Sequence, residues 1–261
     1  MTLTVEQRDQ ITRETFVAEV EAFSQLPSTN DRAIERARER GGNRPLLVIA
    51  RHQHAGRGRG THRWWSPEGG LMFSLLCDRR TFGDEALRSP LVSLSMGVAV
   101  CDTILGMYPQ LDVGLKWPND VCLSGRKVAG ILIECPSQPP GDVIVGIGLN
   151  VNNSMQVAPP EIAGRATAIC DATRSPHDLH AILLVLLQRI EHQSRLLKTD
   201  PERVRQRWTD YCMLTGKRIT LTTGHRQVAG ICHGIAHDGG LVLQTASGVA
   251  TCSAGIVQSI E

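Results

Sequence analysis

The sequence predicts an α/β (α+β) protein: a mixed α/β domain reaching to about residue 214, then a small all-β module over 215–261. Two observations predict it. Through residue 214, short apolar runs of β type at 45–50, 70–77, 127–134 and 142–150 are interspersed with stretches of helical periodicity. After Gly216 the texture changes to β-type runs at 217–221, 227–232, 241–244 and 249–252, separated by turns such as Asp238-Gly239-Gly240, the pattern of a small β-barrel. At 261 residues, 41% of them hydrophobic and 21% charged, the chain can bury a core in each part.

Residues 1–22 read as an N-terminal extension with helix-like mixing of charge, and a short apolar stretch follows around Phe23 and Leu26. Ser28 opens a helix: its hydroxyl can cap the first turn, and Asp31 puts a carboxylate at the positive helix end. That helix stays charged through Arg40 and stops at Gly41-Gly42. The runs 45–50 and 70–77 follow as buried strands, and Ser89-Pro90 starts a helix with Leu91, Leu94, Val98, Cys101 and Leu105 on one face.

A strand is expected through Lys116-Trp117-Pro118-Asn119-Asp120, a turn at Ser124-Gly125, and a second strand over 127–134. Alternation along that second strand places Lys127, Ala129 and Ile131 on one face and Val128, Gly130 and Leu132 on the other. The strand at 142–150 carries Gly146 and Gly148, which predicts that something packs close to its backbone. Ser175-Pro176 opens an amphipathic helix carrying Leu179, Ile182, Leu183, Leu186, Leu187 and Ile190, and a helix led by Asp200-Pro201 reaches about Trp208.

With 28 Lys and Arg against 26 Asp and Glu, the formal charge of +2 lacks the basic footprint of a nucleic-acid or anionic-membrane binder. The first ten residues are polar and charged, unlike a signal peptide. The most apolar run, 181–187, falls far short of the ~20 residues a bilayer takes. A cytoplasmic protein with no nucleic-acid or membrane partner is expected. The eight cysteines are spread singly with no C-x-x-C pair, which fits small buried thiols better than a disulfide frame or a zinc site.

Four segments carry candidate chemistry. Between Gln53 and Arg63, Gly56, Gly58 and Gly60 alternate with Arg57 and Arg59 on a loop between strands. Glycine lets backbone approach a ligand, and guanidinium groups suit phosphate or carboxylate; the same loop also reads as a solvated surface loop or an RNA contact. It is neither a dinucleotide-binding nor a P-loop pattern, because Thr61 stands where the third glycine belongs and no G-x-x-x-x-G-K-[ST] occurs. Lys116, Asn119 and Asp120 crowd around Pro118, either at a site or in a proline turn with Trp117 in the core. Lys127 heads an apolar strand, where it points into a site or snorkels to water. Ser28-Thr29-Asn30 is a helix cap, and a helix start also offers free N–H groups to a ligand.

Taken in order, these segments resemble the biotin–protein ligase family. The resemblance rests on Ser28-Thr29-Asn30, on Gln53 with Gly56-Arg57-Gly58-Arg59, on Trp64, and on Lys116-Trp117-Pro118-Asn119-Asp120. It continues through 126–134 and Gly146-Ile147-Gly148-Leu149-Asn150, covers the chain from about residue 23 onward, and likens 215–261 to the family's SH3-like C-terminal barrel.

The resemblance implies a catalytic domain over 23–214 with a mixed sheet flanked by helices, binding biotin and ATP side by side. It also implies Mg²⁺ with ATP, no tightly bound cofactor, and a biotin carboxyl carrier protein as partner; a homodimer is left open. Carried over residue by residue, Ser28, Thr29 and Asn30 contact biotin, with Gln53 close to its ring system. Arg57, Gly58 and Arg59 form the loop over the adenylate, and Lys127, with Gly130 on its strand, lies between the biotin carboxylate and the α-phosphate. Asp120 is the candidate to orient or deprotonate the acceptor amine, while Trp64, Lys116, Asn119 and Asn150 are further candidates from the same motifs.

This chain departs from the family where Gly60-Thr61-His62 intervene before Arg63, with weaker adenylate retention or His62 as stand-in the expected consequence. Only 27 residues precede Ser28, too few for the winged-helix domain of repressor members, so no repressor role is expected. The rivals are a lipoate or octanoate ligase, a nucleic-acid-binding module, which the 4% aromatic content disfavours, and a degenerate ligase that only holds biotin.

Overall fold

The computed structural model describes residues 3–39, 41–83, 90–136, 141–224 and 226–261. The large domain is a sheet of β1 (Glu19–Leu26), β2 (Leu46–Gln53), β3 (Leu71–Asp78), β4 (Val113–Lys116), β5 (Asp120–Leu123), β6 (Arg126–Glu134) and β7 (Asp142–Leu149). Their order is β1-β2-β3-β7-β6-β5-β4; β1 and β2 run parallel and every other pair is antiparallel, so the sheet is mixed. The parallel pair needs a crossover, and α2 (Thr29–Arg38) supplies it.

Alternation sorts the strands onto two faces. Leu46, Val48, Leu76 and Ile144 pack against Ala33 and Ala37 of α2. Leu47, Ile49, Leu75 and Val145 turn to the main core, which includes α3 (Leu91–Met107), α6 (Leu179–Thr199) and α7 (Pro201–Tyr211). Helix α3 is apolar almost all round because α6 and α7 cover one side and strands β4 to β6 the other. On its own face of the sheet α2 packs against β2, β3 and β7.

The expected extension at 1–22 holds α1 (Val5–Glu14), capped by Thr4 and Gln7, whose Ile11 is fully buried in the main core. Strand β1 begins at Glu19, so a division after residue 22 falls inside it. The single strand expected through residues 116–120 is two strands, β4 and β5, joined by a turn at Trp117-Pro118-Asn119 with Lys116 opposite Asp120. Pro118 has no N–H for a ladder, and its bond to Trp117 is cis. Ser89 and Arg40, expected to start α3 and to close α2, lie outside the described residues, within which α3 begins at Leu91 and α2 ends at Arg38.

The C-terminal module is an antiparallel sheet of β8 (Arg218–Thr223), β9 (Arg226–Ile235), β10 (Leu241–Thr245), β11 (Gly248–Cys252) and β12 (Ile256–Ile260), in the order β11-β10-β9-β8-β12. Strand β12 was not expected. The module's Ile219, Leu221, Leu241 and Leu243 join the same core as the large domain, and Trp117 Nε1 donates to Gly239 O at 3.1 Å. All eight cysteines are free, and burial pushes the thiols of Cys77 and Cys122 up to about 12 and about 11, as inert core residues require. No helix among the described residues is long and apolar enough to cross a membrane.

Candidate active site

The site begins at the N-terminus of α2. Ser28 caps the helix, its Oγ accepting from the Asp31 N–H at 3.4 Å, so the capping expectation holds. Ser28, Thr29 and Asn30 are all buried, and Gln53 Oε1 accepts from the Thr29 N–H at 2.7 Å. Ser74 Oγ lies 2.6 Å from Asn30 Oδ1, and Asn30 Nδ2 donates to Glu134 Oε2 at 2.8 Å. The glycines of β7 make room for this arrangement. A Cβ on Gly146 would sit 2.1 Å from Asn30 Oδ1, and one on Gly148 would sit 2.4 Å from the Trp64 indole. What packs close to that backbone is therefore the protein's own polar and aromatic side chains.

The glycine–arginine loop is a small hairpin over these residues. Arg57 bridges Arg63, the Gly58 N–H donates to His62 O at 2.8 Å, and Gly60 takes φ +63° at the tip. The two arginines divide the work. Arg57 donates to Asp31 Oδ1 at 2.6 Å and Glu134 Oε1 at 2.5 Å, tying the loop to α2 and β6. Burial alone depresses its pKa, but those two carboxylates outweigh burial and hold it above its ordinary value. Arg59 reaches a neutral acceptor, Gly255 O, at 3.0 Å, and burial pulls its pKa below the ordinary value. Arg57 thus anchors the loop, and Arg59 carries the charge less compensated by carboxylates.

Lys127 sits where an alternation argument misplaces it. Cys122 pairs with Lys127 and Val121 with Ala129, so Val128 is the extra residue of a β-bulge. Past the bulge the parity shifts, and Lys127 shares the open face with Gly130 instead of opposing it. Its Nζ lies 2.6 Å from Asp120 Oδ1 and 5.4 Å from the centre of the Trp64 ring. Gly130 is required beside it, since a Cβ there would meet Lys127 Nζ at 3.2 Å and Trp64 at 3.1 Å. The Lys127 N–H donates to Arg165 O at 3.0 Å, which draws Arg165, between the short helices α4 (Pro160–Ala163) and α5 (Ile169–Thr173), to the same place.

These elements enclose one cavity of about 690 Å³. Ser28, Thr29, Asn30, Gln53, Arg57, Gly58, Arg59, Trp64, Asn119, Asp120, Lys127 and Gly130 all line it, so Arg57 and Lys127 share a cavity. Lys116 and Asn150 do not. Asn150 is buried, donating to Thr167 O at 3.1 Å and accepting from Asn153 at 2.9 Å, a bracing role for the 165–169 segment. Sequence reasoning missed Arg165 and, from the C-terminal module, Gly255, Ile256 and Val257, which carry no local signal; Glu134 was legible only as the end of the 126–134 motif, without a role. Among the lining residues Arg57, Arg59, Arg63, Lys127 and Arg165 are cations and Asp120 is the one carboxylate, so the cavity favours an anion.

Comparison with known proteins agrees with this architecture. Residues 22–152 match the profile of the biotin/lipoate A/B protein ligase family, and residues 214–258 match the biotin protein ligase C terminal domain. A biotin–[acetyl-CoA-carboxylase] ligase of Mycobacterium tuberculosis is 31% identical over 92% of this chain and 88% of its own length. One from Paracoccus denitrificans is 32% identical over 87% and 94%. The solved biotin protein ligase from Aquifex aeolicus in complex with biotin and ATP superposes with TM-score 0.81 at 28% identity, covering 94% of this chain and 99% of that one. The mixed sheet, its C-terminal module and these relatives place the chain among the biotin protein ligases of the biotin/lipoate A/B protein ligase family.

Proposed function

We propose that this enzyme joins biotin to ATP as biotinyl-5′-AMP and passes the biotinyl group to a lysine of a biotin carboxyl carrier protein. One observation carries the reading: a single cavity has two chemically distinct ends. Ser28, Thr29, Asn30 and Gln53 form a neutral polar end, with amide, hydroxyl and helix N–H groups suited to an uncharged ureido ring. Arg59, Lys127 and Arg165 form a cationic end suited to a carboxylate and phosphates. We assign catalysis to residues 23–214 and the closing module to 215–261, with α1 packed on the former.

In the first step a biotin carboxylate oxygen attacks the α-phosphorus; an O–P bond forms and the bond to pyrophosphate breaks. Both reactants are anionic, so Lys127 and Arg59 lower the barrier by neutralising them as they meet. Arg57, anchored by Asp31 and Glu134, keeps the loop over the mixed anhydride and water out. ATP would bring Mg²⁺ to neutralise the departing pyrophosphate. No group of three or more His, Cys, Asp or Glu among the described residues is placed to hold a metal, and of the residues lining the cavity Asp120 is the carboxylate that would face the ion.

In the second step an uncharged lysine amine attacks the acyl carbon; an N–C bond forms, the C–O bond to phosphate breaks, and AMP leaves. Asp120 takes the amine's proton, and its contact with Lys127 joins the two steps. With ATP, Mg²⁺, labelled biotin and a carrier domain, label is expected on the carrier. Label from lipoate or octanoate in place of biotin would move the reading to a lipoate ligase. Asp120→Asn should leave pyrophosphate release near wild type and slow transfer to the carrier about 10²-fold, as loss of a general base does. Equal losses in both steps would remove Asp120 from that role.

A further inference from the structure

A second cavity, about 420 Å³, lies beside the first. Arg59, Pro118, Asn119, Ile131 and Leu132 line both, so these residues are a shared wall. The outer sides are Pro90, Ser93 and Ile133 of the large domain, with Ser253 and Ala254 of the C-terminal module. The groove therefore lies at the junction of the two parts and reaches Asn119, whose neighbour in the chain, Asp120, lines the first cavity and pairs with Lys127.

Transfer imposes a requirement that the first cavity alone does not meet. Once biotinyl-AMP fills that cavity, the acceptor amine must reach the acyl carbon by a separate path. From its geometry we propose that this junction groove is that path, taking the side chain of the acceptor lysine with its flanking backbone; the proposal rests on the ligase reading above. The walls suit such a guest. Pro118, Ile131 and Leu132 offer apolar contact to a four-carbon stem, and Asn119, Ser93 and Ser253 offer polar groups to a peptide.

The charge of the groove also suits the reaction. Arg59 is its one charged lining residue among those described, and no carboxylate lines it. A cationic, partly desolvated wall disfavours an ammonium and favours the free amine that can attack. At the inner end Asp120 takes the remaining proton as the N–C bond forms and AMP departs. Arg59, bonded to Gly255 O at 3.0 Å, is the divider between the nucleotide side and the lysine side.

Ser253 and Ala254 lie on an exposed bend, where a large side chain fits without disturbing a core. Ser253→Trp and Ala254→Trp should each leave pyrophosphate release and hydroxamate formation with hydroxylamine, a nucleophile small enough to need no groove, within twofold of wild type. Each should cut kcat/KM for a carrier domain at least tenfold, through KM. Val249→Trp, on the exposed strand outside the groove, should change neither reaction. Wild-type carrier kinetics in both groove variants would overturn the proposal, as would a parallel fall in hydroxamate formation. A wild-type chain that releases no pyrophosphate with biotin would instead remove the ligase reading, and this inference with it.

Discussion

Replacing Lys127 by alanine should slow adenylate formation by about 10³-fold, the upper end for loss of one oriented charge at a transition state, with only a small change in melting temperature. The asymmetry follows from where the ammonium sits. Its side chain is 36% exposed, and its ion pair with Asp120 is of the partly solvated kind worth about 0–1 kcal/mol to stability. Its catalytic contribution is larger because it stands between two anions that repel each other as they approach. Removal also leaves Asp120 facing the phosphates uncompensated. A Lys127→Ala, Asp120→Ala double variant should therefore regain part of the ATP affinity and none of the adenylation rate. Single-turnover pyrophosphate release measures both, and a single variant above about a third of the wild-type rate would sink the assignment. Arg57→Ala should also be slow, but by releasing the loop from Asp31 and Glu134.

What the sequence revealed of this site is what local chemistry determines. Ser28 caps α2 because a short polar side chain before a helical run bonds its first turn, and the same cap presents Thr29 and Asn30. The glycine–arginine cluster and the β7 glycines were legible because each is improbable without a close neighbour. The features that escaped notice depend on a partner strand or a distant segment. Alternation along β6 assumes one-to-one pairing, and the bulge at Val128 breaks that assumption only through β5. Arg165 and Gly255 reach the cavity from segments whose own residues look like ordinary loops. Helix α1 buries only Ile11 on an otherwise charged surface, and β1 is a half-buried edge strand, so neither shows the apolar rhythm that marks a core element. Asn150 belongs to a motif yet spends its amide on Thr167 and Asn153, a reminder that motif membership and contact with a ligand are separate facts.

Gly146→Ala should cost about 1–3 kcal/mol of stability, the usual range for overpacking a tight contact. It should also weaken biotin binding about 10- to 100-fold, equivalent to the loss of one or two buried polar contacts. The added Cβ would lie 2.1 Å from Asn30 Oδ1, and ordinary contact begins at 3.4 Å, so the amide must retreat by more than an ångström. It has nowhere to go at no cost: Ser74 Oγ lies 2.6 Å from its oxygen, and its nitrogen donates to Glu134 at 2.8 Å. Glu134 in turn holds Arg57, so a single methyl on β7 disturbs the biotin end and the loop anchor together. An Asn30→Ala, Gly146→Ala double variant separates the two effects. With the amide gone the methyl loses its three nearest neighbours, all atoms of Asn30, and the melting temperature should recover while biotin binding stays weak. Calorimetric titration with biotin beside thermal melts reads both quantities. If Gly146→Ala binds biotin within twofold of wild type, Asn30 is not a biotin contact and the polar end of the cavity must be reassigned.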